Sequence, residues 1–167
     1  IAAARGSAHE GQAGGTTVAL PSAQKIAHGS TGMTVTKLLS AKEILDASDV
    51  DPDLARYCVL TAAEVTDLLN STEVKSADYN TVKALAEGKL NTFCGFEFIR
   101  TQRLVTSGGV TYCYAYTEAA LGAGMGDELF VDIGPRRDKR MATQVYVSGS
   151  MACTRIEDEQ FVEIACQ

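Results

Sequence analysis

Residues 141–153 constrain the fold more than any other segment. They read as one strand, with Thr143, Val145, Val147 and Met151 on one face. Thirteen residues is long against a usual strand of about five or six, and the hydrophobicity is modest. That combination suits an extended sheet better than a compact barrel. The expected partner is the run 160–165, reached across the acidic turn Glu157-Asp158-Glu159.

The rest of the chain is mixed. Residues 1–32 are rich in Gly, Ala, Ser and Thr, and such a leader orders only by lying on something else. Within it, 16–20 has strand character. Residues 33–48 read as a helix, with Val35, Leu38, Leu39, Ile44 and Leu45 inward and Lys37, Lys42 and Glu43 on the wet face. Pro52 disfavours helix before it and ends that segment. A short apolar strand is expected at 56–60. Thr61-Ala62-Ala63-Glu64 is a capping-box pattern opening a helix with Val65, Leu68 and Leu69 inward. A further helix starts near Ser76 or Asp78, turns Val82 and Leu85 inward, and stops at Gly88.

Strands follow at 95–100 and 110–116, joined around Ser107-Gly108-Gly109. In the second, Val110, Tyr112, Tyr114 and Tyr116 alternate with Thr111, Cys113 and Ala115, the pattern of a sheet wet on one side. A helical turn at 118–121, a glycine turn at 122–126 and a strand at 129–133 lead into the last third. The fold class is α+β.

Composition narrows function by exclusion. Hydrophobic residues make up 46% of 167, enough for a core without disulfide or metal support. The net charge of −6 argues against a general nucleic-acid binder, which needs basic surface to displace phosphate counterions. The five cysteines, Cys58, Cys94, Cys113, Cys153 and Cys166, form no CxxC pair and read as reduced, mostly buried thiols. No apolar run approaches the roughly 20 residues a bilayer requires, so no membrane partner is expected. A chain opening at Ile1 fits a fragment, a processed product or the ordered part of something longer.

The motifs that carry chemistry elsewhere fail here on context. Gly122-x-Gly124-x-Gly126 lacks the strand before and helix after that a phosphate cradle needs. Asp49-x-Asp51-x-Asp53 starts like a calcium loop, but Leu54 and Leu60 stand where that loop requires Gly and Glu. Asn70-Ser71-Thr72 fits a glycosylation acceptor without a secretory signal. Both histidines, His9 and His28, lie in the leader, so no catalytic triad is expected. No catalytic residue, cofactor or metal site is assigned. One cluster stands apart: Arg136, Arg137, Lys139 and Arg140 put four cations around Asp138 in an otherwise acidic chain. It reads either as a solvated loop or as a docking loop for acidic groups of a neighbour, such as Glu157-Asp158-Glu159, or for a phosphate backbone.

Several segments, in order, carry a resemblance. They are Thr16-Thr17-Val18-Ala19-Leu20-Pro21, Gln24-Lys25-Ile26, Arg56-Tyr57-Cys58-Val59-Leu60 and Asp67-Leu68-Leu69-Asn70. Then come Ser76-Ala77-Asp78-Tyr79-Asn80-Thr81-Val82-Lys83-Ala84-Leu85 and Asn91-Thr92-Phe93-Cys94-Gly95-Phe96. Last are Arg137-Asp138 before Ala142-Thr143-Gln144-Val145-Tyr146, and Thr154-Arg155-Ile156-Glu157. Together they resemble the major capsid proteins of tailed bacteriophages.

The resemblance implies the tailed-phage major capsid fold: a peripheral lobe with a spine helix and long sheet at 33–50 and 125–167, and an axial α/β lobe at 51–124. Residues 1–32 would be the end of an extended hairpin region, most of which, with the N-terminal arm, is missing here. The implied function is a structural subunit without catalysis. It would self-assemble as pentamers and hexamers into an icosahedral shell around double-stranded DNA, in the virion, after assembly in the bacterial host cytoplasm. Scaffold and portal proteins are implied partners, and this segment alone, without the arm and hairpin that tie subunits together, would form small rings or monomers. Interface candidates are Arg136, Arg137, Lys139, Arg140, Asn80 and Lys83. The rival readings are an encapsulating nanocompartment shell, a small α/β enzyme with an unrecognised carboxylate site, and a monomeric binding module.

Overall fold

The computed structural model describes residues 5–10, 14–71 and 92–167. In chain order the elements are β1 (Ala8–Glu10), β2 (Thr16–Val18), β3 (Lys25–Ile26), α1 (Val35–Ala47), β4 (Arg56–Leu60) and α2 (Ala62–Asn70). Then follow β5 (Thr92–Phe93), β6 (Phe96–Arg100), β7 (Thr106–Ser107), β8 (Val110–Thr117), β9 (Leu121–Arg136), β10 (Ala142–Arg155) and β11 (Phe161–Cys166). The architecture is α+β, as expected. The expected helix from Ser76 or Asp78 to Gly88, with Asn80 and Lys83, lies outside the described residues.

A mixed sheet forms the body, in the order β3-β11-β8-β4-β6-β5, with β7 pairing β8 at Ser107↔Val110. The Gly108-Gly109 turn therefore joins β7 to β8, not β6 to β8, because β4 lies between those two. β4 and β6 are parallel neighbours. Parallel pairing needs a crossover, and α2 begins it directly after β4.

Both faces of this sheet are covered, which corrects the one-sided reading of the tyrosine strand. Cys113 and Ala115 join Leu38, Leu45, Leu60, Leu68, Phe96 and Ile164 in the core beneath the helices. Tyr114 and Tyr116 face the other way, into a second core with Leu20, Val59, Ala120 and Phe161. The Tyr114 ring stacks on Phe161 at 5.5 Å. Burying both faces of β8 and β11 removes most of their apolar surface from water, at roughly 25 cal/mol per Å².

α1 starts as its sequence suggests, with the Thr34 hydroxyl accepting from the Lys37 amide at 3.3 Å. It stops before Pro52 has any effect. Asp49 takes the left-handed conformation (φ 52°), the Asp49 amide donates to Asp46 O, and the Val50 amide donates to Leu45 O. This is a Schellman closure with Asp in the place usually held by Gly. α2 carries the expected Thr61–Glu64 contact, but between the two side chains, not from Thr61 to the helix backbone.

Lys37 is the clearest departure in the body. Expected on the wet face, it is buried, and its ammonium donates to the carbonyls of His28, Thr31, Gly32 and Ala165 at 2.8–2.9 Å. One side chain thereby ties α1, the loop before it and β11 together. Leu39, expected inward, is exposed.

The leader lies on the body, as its composition requires. Arg5 bonds Glu163 at 2.5 Å and sits over the Tyr112 ring at 3.5 Å. Arg155, buried, holds the Gly6 and Val18 carbonyls at 3.0 and 3.1 Å and also pairs with Asp158. β1 and β2 form a small hairpin.

The long strand is present but differently partnered. β10 pairs with β9, from Arg136↔Ala142 to Leu121↔Arg155. The expected partner, β11, instead sits between β3 and β8 in the body sheet. The expected glycine turn at 122–126 is part of β9. Its glycines serve packing: a Cβ at Gly122 would lie 2.7 Å from the Ile156 side chain, and one at Gly126 would lie 2.7 Å from Ser150 Oγ. β11, assigned by the resemblance to the peripheral lobe, shares one sheet with β8 and β4 of the expected axial lobe.

Candidate functional site

β9 and β10 form a two-stranded ribbon, with no third strand beside it among the described residues. Sixteen residues at about 3.3 Å each make it about 50 Å long. It bends near its middle, where the pairing slips at Ser148/Ser150 and Ser150/Met151. There Ser150 Oγ accepts from the Asp127 amide at 2.9 Å and donates to Asp127 Oδ2 at 3.3 Å.

Cross-strand partners share a face of a sheet. Val145 opposes Ile133, Val147 opposes Val131, and Met151 opposes Met125. Met125, Leu129, Val147 and Met151 also line one shallow groove of about 250 Å³. Apolar side chains from both halves of the ribbon thus meet in one strip, with Asp127, Ser148 and Ser150 beside them in the groove. Its members are largely open to water, with Leu129 74% and Met151 80% exposed. On the opposite side, Phe130 meets Tyr146 edge-on at 6.4 Å. A lone two-stranded hairpin is marginal in water, and a contiguous apolar patch of this size marks a contact surface.

The basic cluster sits at the ribbon's tip. Residues Arg137–Lys139 make a tight turn, and Arg140 and Met141 close it at φ 53° and 63°. Left-handed backbone at two consecutive non-glycine residues is uncommon and strained. Arg136 pairs with Asp138 at 2.7 Å. Arg137, Lys139 and Arg140 stay exposed and outside every ion pair among the described residues. The structure thus gathers the four candidate cations at one projecting point. It does not bring them to Glu157-Asp158-Glu159 of the same chain, which lies at the ribbon's root, where Asp158 is engaged by Arg155.

The apolar strip escaped the sequence reading. Its members were visible at 129–133 and 145–151, but their pairing was not. The signal that points to it is two alternating runs flanking Gly134-Pro135 and a charged turn.

Elsewhere the polar chemistry is sparse. Among the described residues no group of three or more His, Cys, Asp or Glu side chains is placed to hold a metal, and no helix is long and apolar enough to cross a membrane. The cysteines are free thiols. Burial raises Cys58, while Cys113 is raised first by its hydrogen bond with Cys166 and then by burial. A cleft of about 470 Å³ is bordered by Lys42, Asp46, Asp49 and Arg56, and the Arg56–Asp46 pair at 2.7 Å occupies its charged wall.

A comparison with curated proteins gives no match. Among solved structures, a chain from Mycobacterium phage Che8 superposes with a TM-score of 0.65 at 15% identity, over 81% of this chain and 53% of that one. The capsid of cyanophage P-SCSP1u gives 0.63 at 16%, over 85% and 54%. The holo-SrpI encapsulin complex from Synechococcus elongatus PCC 7942 gives 0.58 at 10%, over 87% and 53%. This chain therefore spans about half the length of the chains it matches, and they share its fold. The sequence model described as phage capsid protein matches all of residues 1–167. With a capsid fold and a projecting ribbon built for contact, the chain belongs to the phage capsid protein family.

Proposed function

We propose that this chain is part of a major capsid subunit that self-assembles into an icosahedral phage shell. The observation that carries the reading is the uncovered apolar strip on the β9–β10 ribbon, in a chain of the capsid family. Such a surface is expected to be covered in the assembled particle, by the rest of the subunit or by a neighbour, and contacts between subunits in a shell recur under symmetry, so modest interfaces add up. The role is structural, without catalysis. The shell would hold double-stranded DNA by enclosure, since an acidic subunit offers phosphate little attraction. Assembly in the host cytoplasm, with scaffold and portal proteins, completes the proposal.

The lobe division is carried forward in altered form. The body sheet, with α1 and β11, is one unit, and the ribbon is the projecting part that reaches neighbours. The family match over the whole chain favours a phage capsid over an encapsulating nanocompartment. The test is light scattering on the full-length gene product. Particles or capsomers of many subunits are expected, and a clean monomer at high concentration would overturn the reading.

A further inference from the structure

Three of the five cysteines lie on one line. Cys58 on β4 sits opposite Ala115 of β8, Cys113 on β8 sits opposite Ile164 of β11, and Cys166 on β11 sits opposite Thr111. Each thiol is therefore two positions off register from the next, across three adjacent strands. All three enter the core beneath the helices. They form a row, not a cage, and no group of three or more His, Cys, Asp or Glu among the described residues is placed to hold a metal. What a row of thiols offers instead is a pair. Cys113 and Cys166 are joined by a hydrogen bond between their thiols, whereas Cys58 acts on Cys166 by charge alone.

We infer that Cys113 and Cys166 form a reversible disulfide that staples β11 to β8. The structure shows its reduced state. The oxidant is a small-molecule disulfide of the oxidised glutathione type, and Cys166 is the attacking thiol. The hydrogen bond from Cys113 favours its thiolate, burial opposes it, and the Lys37 ammonium, held on the neighbouring Ala165 carbonyl, favours it again. The Cys166 thiolate displaces one glutathione thiolate and forms a mixed disulfide. Cys113 Sγ then attacks Cys166 Sγ, breaks the mixed bond and releases the second glutathione. Two electrons pass from the protein's thiols to the reagent, and the two protons end on the two glutathione thiols. Cys166 is buried, but it is the last residue of β11. The end of a strand opens locally more readily than its middle, and that opening admits the oxidant.

Diagonal neighbours in a sheet lie about 7–8 Å apart, and a disulfide needs its Cα atoms within about 6.8 Å. The strands must therefore draw together by roughly 1 Å to close the bond. A bond closed under tension is reduced readily, so the staple is a latch set by the surrounding redox state, not a permanent tie. Closing it fixes a loop of roughly 50 residues that contains β9 and β10. It also secures the strand that carries Ala165, one of the four carbonyls on Lys37.

The test is to treat the folded chain with oxidised glutathione, quench it in urea with an alkylating reagent, and map it by tryptic mass spectrometry. An Arg or Lys separates every neighbouring pair of cysteines, so each falls in its own peptide. The expected product is a cross-link between the peptides of Cys113 and Cys166, about 2 Da lighter than the two reduced peptides together. C58A should form it as wild type does, and C113A and C166A should not. The cross-linked chain should melt about 5 °C higher, and dithiothreitol should reverse the shift. Should C113A or C166A fail to fold, the wild-type map and the C58A map decide alone.

A cross-link from Cys58 to Cys113, a cross-link that forms only in the urea-unfolded chain, or Cys113 and Cys166 both still free after oxidation would each overturn the staple. Glutathione adducts at the partly buried Cys94 and Cys153 without the cross-link would overturn it too. A cross-link that leaves the midpoint unmoved would remove the latch. None of these outcomes bears on whether the full-length product forms particles, so the shell reading stands or falls by its own test.

Discussion

Replacing Lys37 with Met removes the one donor shared by four carbonyls. Hydrogen bonds to a charged group are worth about 1.5–3 kcal/mol, and buried acceptors left bare add to the loss. We expect K37M to lose about 2–4 kcal/mol in urea unfolding, with K37R recovering part of it. Tyr114 should behave in the opposite way. Its hydroxyl is buried with no hydrogen-bond partner among the described residues, so Y114F should be neutral or more stable by up to about 1 kcal/mol.

Burial pushes the Tyr114 hydroxyl up to about 12, with the nearby Arg5 opposing. Because the folded value lies above the unfolded value of about 10, its contribution is complete below pH 10 and is lost as pH climbs through 12. The melting midpoint should therefore fall across that window, and less steeply in Y114F. An equal slope in both proteins would contradict the assignment. The alternation of β8 made Tyr114 legible as a sheet residue. Lys37 was not legible, because Ala165, one of its acceptors, lies 128 residues away and helical spacing shows only which side chains share a face.

At the scale of elements, α1, β4, α2 and β8 were readable because their apolar spacing and caps are local. The pairing of β10 was not. Period-two alternation states which residues share a face and leaves the neighbouring strand unnamed. The sequence still holds a clue: β11 is apolar nearly throughout, the mark of a strand covered on both faces, so it belongs in a body sheet and not beside a ribbon.

The ribbon's exposure sets two expectations. V145D changes a side chain already 64% exposed, so the body's melting midpoint should stay nearly unchanged, within the roughly 0.5 kcal/mol of an ordinary surface change. Assembly should be lost, because a charge would be buried against the partner without compensation. Replacing Arg136 and Arg137 with Ala should weaken assembly more mildly at an unchanged midpoint. Arg136 already engages Asp138, so most of the effect should come from Arg137. Assembly of V145D at the wild-type level, read by light scattering, would show that the strip faces solvent in the particle.

For the whole molecule, the overall charge of −6 conceals the feature that matters, a cationic point at the end of a long projection. The run Ser76–Leu85, among the segments that carry the resemblance, lies outside the described residues, and the family match over 1–167 includes it and supports the same conclusion. The body is a sheet covered on both faces and clasped by Arg5, Lys37 and Arg155. The ribbon is the part whose apolar side chains lie open to water in this chain. An electron cryomicroscopy reconstruction of particles formed by the full-length product tests this most directly. The account predicts closed shells in which Met125, Leu129, Val131, Val145, Val147 and Met151 are buried, against the rest of the subunit or a neighbouring one. Shells in which that strip faces solvent, or no particles at all, would contradict it.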